Sequence, residues 1–184
     1  MSQHVSTSAV EVISGPSFRA AAPSAADLDA FRAKLLTEYS HALWDYWLSK
    51  RTDDGIPFRS EIQPAEMKEM LPYLLLWERV SEAATNRIRL AGTALVEALL
   101  QNPAQKLTRD VFPAAWEAAL RKRAGDFYDR RCPQVFRFSM APFSRSHVSI
   151  EFLALPLRRD ADIADMGIGI AFRLPQANAG AAVL

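Results

Sequence analysis

Hydrophobic and polar positions change period several times along this chain, and each change marks an element. Past residues 1–26, apolar side chains recur at steps of three and four: Leu28, Phe31, Leu35, Tyr39, Ala42, Leu43, Tyr46 and Trp47. That spacing predicts one long amphipathic helix over residues 27–50, opened by a capping box in which Ser24 serves Asp27. Trp44 and Leu48 widen its apolar stripe beyond what one sheet face covers. The surplus points to a second surface, and a homodimer through Phe31, Leu35, Tyr39, Leu43, Trp44 and Trp47 is the expectation. The alternative has the helix fold back and bury both sides in its own chain.

Asp53-Asp54-Gly55-Ile56-Pro57 reads as a turn, and Pro64 suits the first turn of a short helix over 65–71 that Pro72 stops. Residues 73–80 form an apolar strand, followed by a polar turn at 83–86. In Arg87-Ile88-Arg89-Leu90 the period is two, with Ile88 and Leu90 on the buried side, so an antiparallel hairpin is expected. After Gly92 the period becomes helical, through Leu95, Val96 and Leu99. Gly92 permits a close backbone turn there, and Thr93 is placed to accept from a free amide of the new helix.

Residues 101–112 are irregular. Pro113 opens a second long helix ending at Arg131, with Trp116, Leu120, Phe127 and Arg131 on its inner stripe. Three strands follow, at 135–140, 148–157 and 163–174. The last has Met166, Ile168, Ile170 and Phe172 on one face and Gly167, Gly169 and Ala171 on the other, a face open to close approach by the N-terminal helix. The organisation expected is an arm at 1–26, in which 9–13 can add a strand to a sheet edge, a domain at 27–174 and a tail at 175–184. There are no internal repeats.

The order of elements, two strands, a helical middle and three strands, resembles that of PAS domains. The residues resemble the small PAS-like proteins common in alphaproteobacteria. Leu43-Trp44-Asp45-Tyr46-Trp47 with Lys50-Arg51, Ile56-Pro57, Arg59, Ile62 and Pro64 carry the likeness, followed by Leu71-Pro72-Tyr73-Leu74-Leu75-Leu76. Arg87-Ile88-Arg89-Leu90-Ala91-Gly92-Thr93-Ala94-Leu95-Val96 and Leu155-Pro156-Leu157 complete it, over residues 40–173. The resemblance implies an α+β fold with a five-stranded antiparallel sheet of order 2-1-5-4-3, helices on one face, and relatives that dimerise through an N-terminal helix. One stretch departs: relatives carry an acidic residue and a Thr-Gly step where this chain has Gln101-Asn102-Pro103-Ala104-Gln105-Lys106, so its pocket-side loop differs.

Composition narrows the function classes. A net charge of +1 argues against a nucleic-acid binder, and no apolar run approaches the roughly 20 residues of a membrane span. No signal-peptide pattern opens the chain, which makes cytoplasmic the default. The lone Cys132 leaves no internal disulfide or multi-Cys zinc site, and His4, His41 and His147 lie far apart, so no metal is expected. Haem would want an axial His within 93–132, which has none, and flavin photochemistry would want a Cys earlier in the helical middle. Neither cofactor is supported, and the cofactor is left unknown.

No residues converge on catalysis. Ser144, Ser146 and His147 lack an acidic orienter, and Ser146 and His147 point to opposite faces of a strand. Arg121-Lys122-Arg123 with Arg130-Arg131 is better read as an exposed helix compensated by Glu117 and Asp126 at i,i+4 spacing. Trp77, Leu90, Leu95, Trp116, Phe127, Phe136, Phe138 and Phe152 are candidates for a pocket taking a small apolar or aromatic ligand; filled core is the plainer reading of the same residues. The reading favoured is a non-enzymatic sensory or regulatory module that acts through a ligand, a protein partner not named by the sequence, or both. Two alternatives stand beside it, a small-molecule enzyme on a ketosteroid-isomerase-like cone and a purely structural adaptor.

Overall fold

One antiparallel sheet divides the protein into two cores. In the computed structural model, residues 10–51, 55–81, 84–159 and 164–175 are described. The strands are β1 (Glu11–Ser14), β2 (Leu74–Val80), β3 (Thr85–Ala91), β4 (Gln134–Met140), β5 (Arg145–Arg158) and β6 (Ala164–Arg173), in the spatial order β1-β4-β5-β6-β2-β3. Five of them follow the expected order; the sixth, β1, lies along the outer edge of β4, with Val12 opposite Phe136. The sheet is therefore six-stranded, not five-stranded. Asp53, Asp54, Ile163, the first nine residues and the tail from 176 lie outside the described residues.

The single long helix is replaced by two, α1 (Ala25–Arg32) and α2 (Glu38–Ser49). The Ser24–Asp27 capping box opens α1 as expected. What breaks the helix is a carboxylate from the sheet. Glu151, fully buried, accepts from the amides of Leu36 (3.0 Å) and Thr37 (3.1 Å), so these donors are drawn away from helical partners. Thr37 then caps α2 by accepting from the Ser40 amide at 3.1 Å.

Bending at that point lays α2 on the sheet. Phe31, Leu35, Leu43, Trp44 and Trp47 are all buried, packed with Leu153, Leu155, Leu157, Ile168 and Ile170, while Tyr39 is half-buried against Tyr73 and Phe172. The Trp47 indole donates to the carbonyl of Pro156 at 3.0 Å. Five of the six expected interface side chains are thus spent inside the chain, and Tyr39 alone of them keeps part of its surface.

Helices cover both faces, not one. Strand side chains alternate, so Leu153, Leu155 and Leu157 face α2 while Phe152 and Ala154 face the other way, toward α3 (Thr93–Leu99), α4 (Thr108–Val111) and α5 (Ala114–Ala124). The N-terminal helix does not use the Gly-Ala face of β6. A Cβ on Gly167 would stand 2.3 Å from the Trp77 indole, and one on Gly169 would stand 2.5 Å from the Phe152 ring; aromatic side chains fill that space.

Smaller differences have local causes. The stretch after Pro64 forms only short 3-10 turns, at Pro64–Glu66 and Leu71–Tyr73, each with its proline in the first turn. Gly92 is itself the cap of α3, no side-chain cap bond is made there, and its backbone is not left-handed. Its smallness is needed because a Cβ would lie 2.2 Å from the carbonyl oxygens of Leu71 and Pro72. The second long helix ends at Ala124 and widens into a π-helical turn, Gly125–Asp129. Among the described residues, no helix is long and apolar enough to cross a membrane.

Candidate functional site

A cavity of about 310 Å³ opens between the sheet and the helices α3 and α5. Leu75, Phe136, Phe138, Ile150 and Phe152 form its sheet wall, and Leu95, Ala98, Leu99, Trp116 and Leu120 its helical wall. The space exists because small side chains face it. Ala94 and Ala98 on α3 and Ala171 on β6 leave a gap that Phe152, lying over Gly169, borders and Trp77, lying over Gly167, does not reach. Val10, just before β1, closes one side. The Trp116 and Phe138 rings, 4.0 Å between centroids, hold the far wall. Arg145 and Arg173 complete the lining as its charged members, and both are exposed.

Of the residues singled out from the sequence, Leu95, Trp116, Phe136, Phe138 and Phe152 line this cavity. Trp77 and Phe127 stand one layer behind it, beside a void of about 20 Å³ that has room for roughly one water. Leu90 belongs to neither and is 43% exposed. A β-bulge explains its position: Leu76 pairs with Leu90 but Trp77 pairs with Ile88, so Arg89 is the extra residue and Leu90 flips to the opposite face from Ile88. Sequence reading missed Val148, Ile150, Ala94, Ala98 and both arginines. Period-two alternation from Val148 through Phe152 and helical spacing from Ala94 to Ala98 carry a signal for the apolar ones; the arginines carry none.

The PAS domain family model matches residues 37–172, from the cap of α2 into β6. The chain belongs to the PAS domain family. The matched span takes in α2, five strands of the sheet and nearly all of the cavity wall, and leaves α1 and β1 outside it. No curated protein matches the chain.

Behind the PAS cavity lies a buried polar group. Trp77 donates its indole N–H to the Tyr128 hydroxyl at 3.0 Å, and that hydroxyl donates to Asn86 Oδ1. Burial pushes the Tyr128 hydroxyl far above the usual tyrosine value, so it remains protonated and serves as a fixed donor. Next to it Thr85 donates to Glu117 Oε1 at 2.9 Å and meets Thr108 at 3.0 Å. Glu117 therefore turns inward instead of pairing with Arg121. Asp126 holds Arg130 at 3.2 Å, as expected, and also Arg123 at 3.6 Å.

The remaining chemical candidates are not among the residues that line the cavity. Cys132 is buried, and burial raises its thiol pKa, which disfavours a reactive thiolate. Ser144 is exposed just before β5, and Ser146 and His147 are exposed at its start. Among the described residues no group of three His, Cys, Asp or Glu side chains is placed to hold a metal.

Proposed function

We propose that this PAS domain is a sensory or regulatory module that acts by binding: a small apolar or aromatic molecule occupies the cavity between the sheet and α3 and α5, and the bound state is read by another protein. The observation that carries this reading is the cavity itself. Its volume of about 310 Å³ falls at the lower end of small-molecule sites, and its wall is almost wholly apolar. A purely structural adaptor would have a filled interior at that place. An enzyme of the ketosteroid isomerase kind needs a carboxylate facing an oxyanion donor. Here Tyr73 is among the lining residues, but among the described residues no Asp or Glu lines the cavity.

Native mass spectrometry of the purified protein tests the proposal. The expected result is a small-molecule adduct released on unfolding and lost in Ala98→Phe, whose ring would fill the space beside α3. A bare protein mass, together with no thermal stabilisation by any of a panel of apolar compounds, would refute it.

A further inference from the structure

We infer that the ligand is a carboxylate amphiphile, a medium-chain acyl or aryl-alkyl acid whose apolar end enters the cavity and whose carboxylate rests on Arg145 and Arg173. This inference rests on the reading of the cavity as a ligand site and adds the chemistry of the ligand's head. Its basis is the distribution of charge. Two guanidinium groups border an otherwise apolar wall, and no described acidic residue lines it.

Several other arginines meet carboxylates within the chain, while Arg19, Arg51, Arg59 and Arg121 meet none among the described residues. Arg32 pairs with Asp45, Arg79 with Asp129, and Arg137 with Glu151, while Arg87, Arg89 and Arg159 converge on Glu78. Arg145 and Arg173 meet none among the described residues. Both arrive at the cavity by strand geometry. Arg173 sits opposite Ile150 in the β5–β6 register, beside a residue of the cavity wall. Arg145 begins β5 directly after Ser144, whose left-handed backbone (φ 59°) turns the chain, and pairs with Met140 of the same wall. Two strand ends thus bring two positive charges to one opening.

Exposure of both guanidiniums fits a head group held at the rim. An anion bound there stays partly hydrated, so the arginines attract it without the desolvation penalty of a buried pair. The planar guanidinium also matches a carboxylate in bidentate fashion. The volume sets the body: about 310 Å³ holds what roughly ten waters fill, which suits a chain on the order of ten carbons.

Isothermal titration of the full chain with decanoate, decanol and decylammonium reads the inference directly. Decanoate is expected to bind at least tenfold more tightly than decanol, and decylammonium more weakly than both. The preference should shrink as salt is raised from about 0.05 to about 0.3 M. In the double variant Arg145→Gln, Arg173→Gln, decanoate should fall to the affinity of decanol while decanol is unchanged. Both positions are exposed, and far-UV circular dichroism checks that the variant folds. Equal binding of decanoate and decanol, or a preference that survives the double variant, would overturn the inference while leaving the cavity a ligand site. Failure of all three compounds to bind would overturn the inference, and the ligand-site reading falls with it only when the native mass is bare and the panel of apolar compounds gives no stabilisation.

Discussion

Removing the Glu151 carboxylate should unfasten the N-terminal helices from the sheet. This side chain is fully buried on β5, and it accepts from the Leu36 amide at 3.0 Å, the Thr37 amide at 3.1 Å and Arg137 Nε at 3.2 Å. In Glu151→Ala two backbone donors at the α1–α2 junction lose their acceptor, each at a cost of about 1–3 kcal/mol when buried. The guanidinium of Arg137 loses its buried counter-charge, for which the usual cost is about 3–5 kcal/mol. Arg137 keeps some relief, because its side chain is 16% exposed and it still reaches the Lys34 carbonyl and Glu11. The three losses overlap at one site, so their combined effect is expected near 3 kcal/mol, equivalent to a melting temperature lower by about 6–12 °C for a chain of this length.

Urea unfolding, followed by far-UV circular dichroism and by fluorescence of Trp44 and Trp47, measures this. Both indoles are fully buried under α2, so undocking of that helix registers as a red shift before global unfolding. Arg137→Ala in a double-mutant cycle with Glu151→Ala should show coupling above about 1 kcal/mol. A loss under 1 kcal/mol for Glu151→Ala, or strict additivity with Arg137→Ala, would refute the account of why the helix breaks.

Two further outcomes follow from local geometry. Gly92→Ala drives a Cβ to 2.2 Å from two backbone oxygens and should cost at least about 2 kcal/mol, whereas Gly125→Ala, with an ordinary helical backbone and its nearest neighbour at 3.8 Å, should stabilise by about 0.5–1 kcal/mol; chemical denaturation that ranks them otherwise contradicts the packing described. Asp45 accepts two hydrogen bonds from Arg32, at 2.8 and 2.7 Å, which hold its carboxyl below the usual aspartate range. Because the folded value is the lower one, the pair's small contribution to stability is present above the ordinary aspartate value and is lost as pH falls through the folded value. A carboxyl titration by NMR should show Asp45 returning to the ordinary range in Arg32→Ala, and no change would disprove the assignment.

Local signals were legible along the chain wherever a residue's neighbours in sequence decide its structure. The Ser24–Asp27 box, the strands of the hairpin and the last three strands are of this kind, and the family likeness supplied their order in the sheet. Tertiary contacts decided the rest. Thr37 before Glu38 is an ordinary N-cap signal, but the group that makes the break, Glu151, is over a hundred residues away. Alternation through Ile88 and Leu90 reads as one buried face until the bulge at Arg89 separates them. Gly167 and Gly169 look like an empty face because the side chains that occupy it, Trp77 and Phe152, come from neighbouring strands. The two arginines of the cavity mouth depend on the same kind of cross-strand register.

The two faces of the sheet differ in how completely they are filled, and one substitution made on each face exposes the difference. Leu155 is fully buried on β5, opposite Ile168, in the core closed by α2. Leu155→Ala leaves a hole with close-packed neighbours on every side, and the Leu→Ala range of about 2–5 kcal/mol applies at its upper half, near 4 kcal/mol. Leu95 on α3 is half-buried, and part of its side chain already borders the cavity. Trimming it enlarges a space that exists and forfeits fewer dispersion contacts, so Leu95→Ala should cost only about 1 kcal/mol. The atoms removed are identical, so the costs differ through burial, backbone context and packing. Equal costs within about 0.5 kcal/mol, measured by urea unfolding of the ligand-free protein, would mean that α3 and α5 close onto the sheet in solution and that the cavity is not held open by the fold.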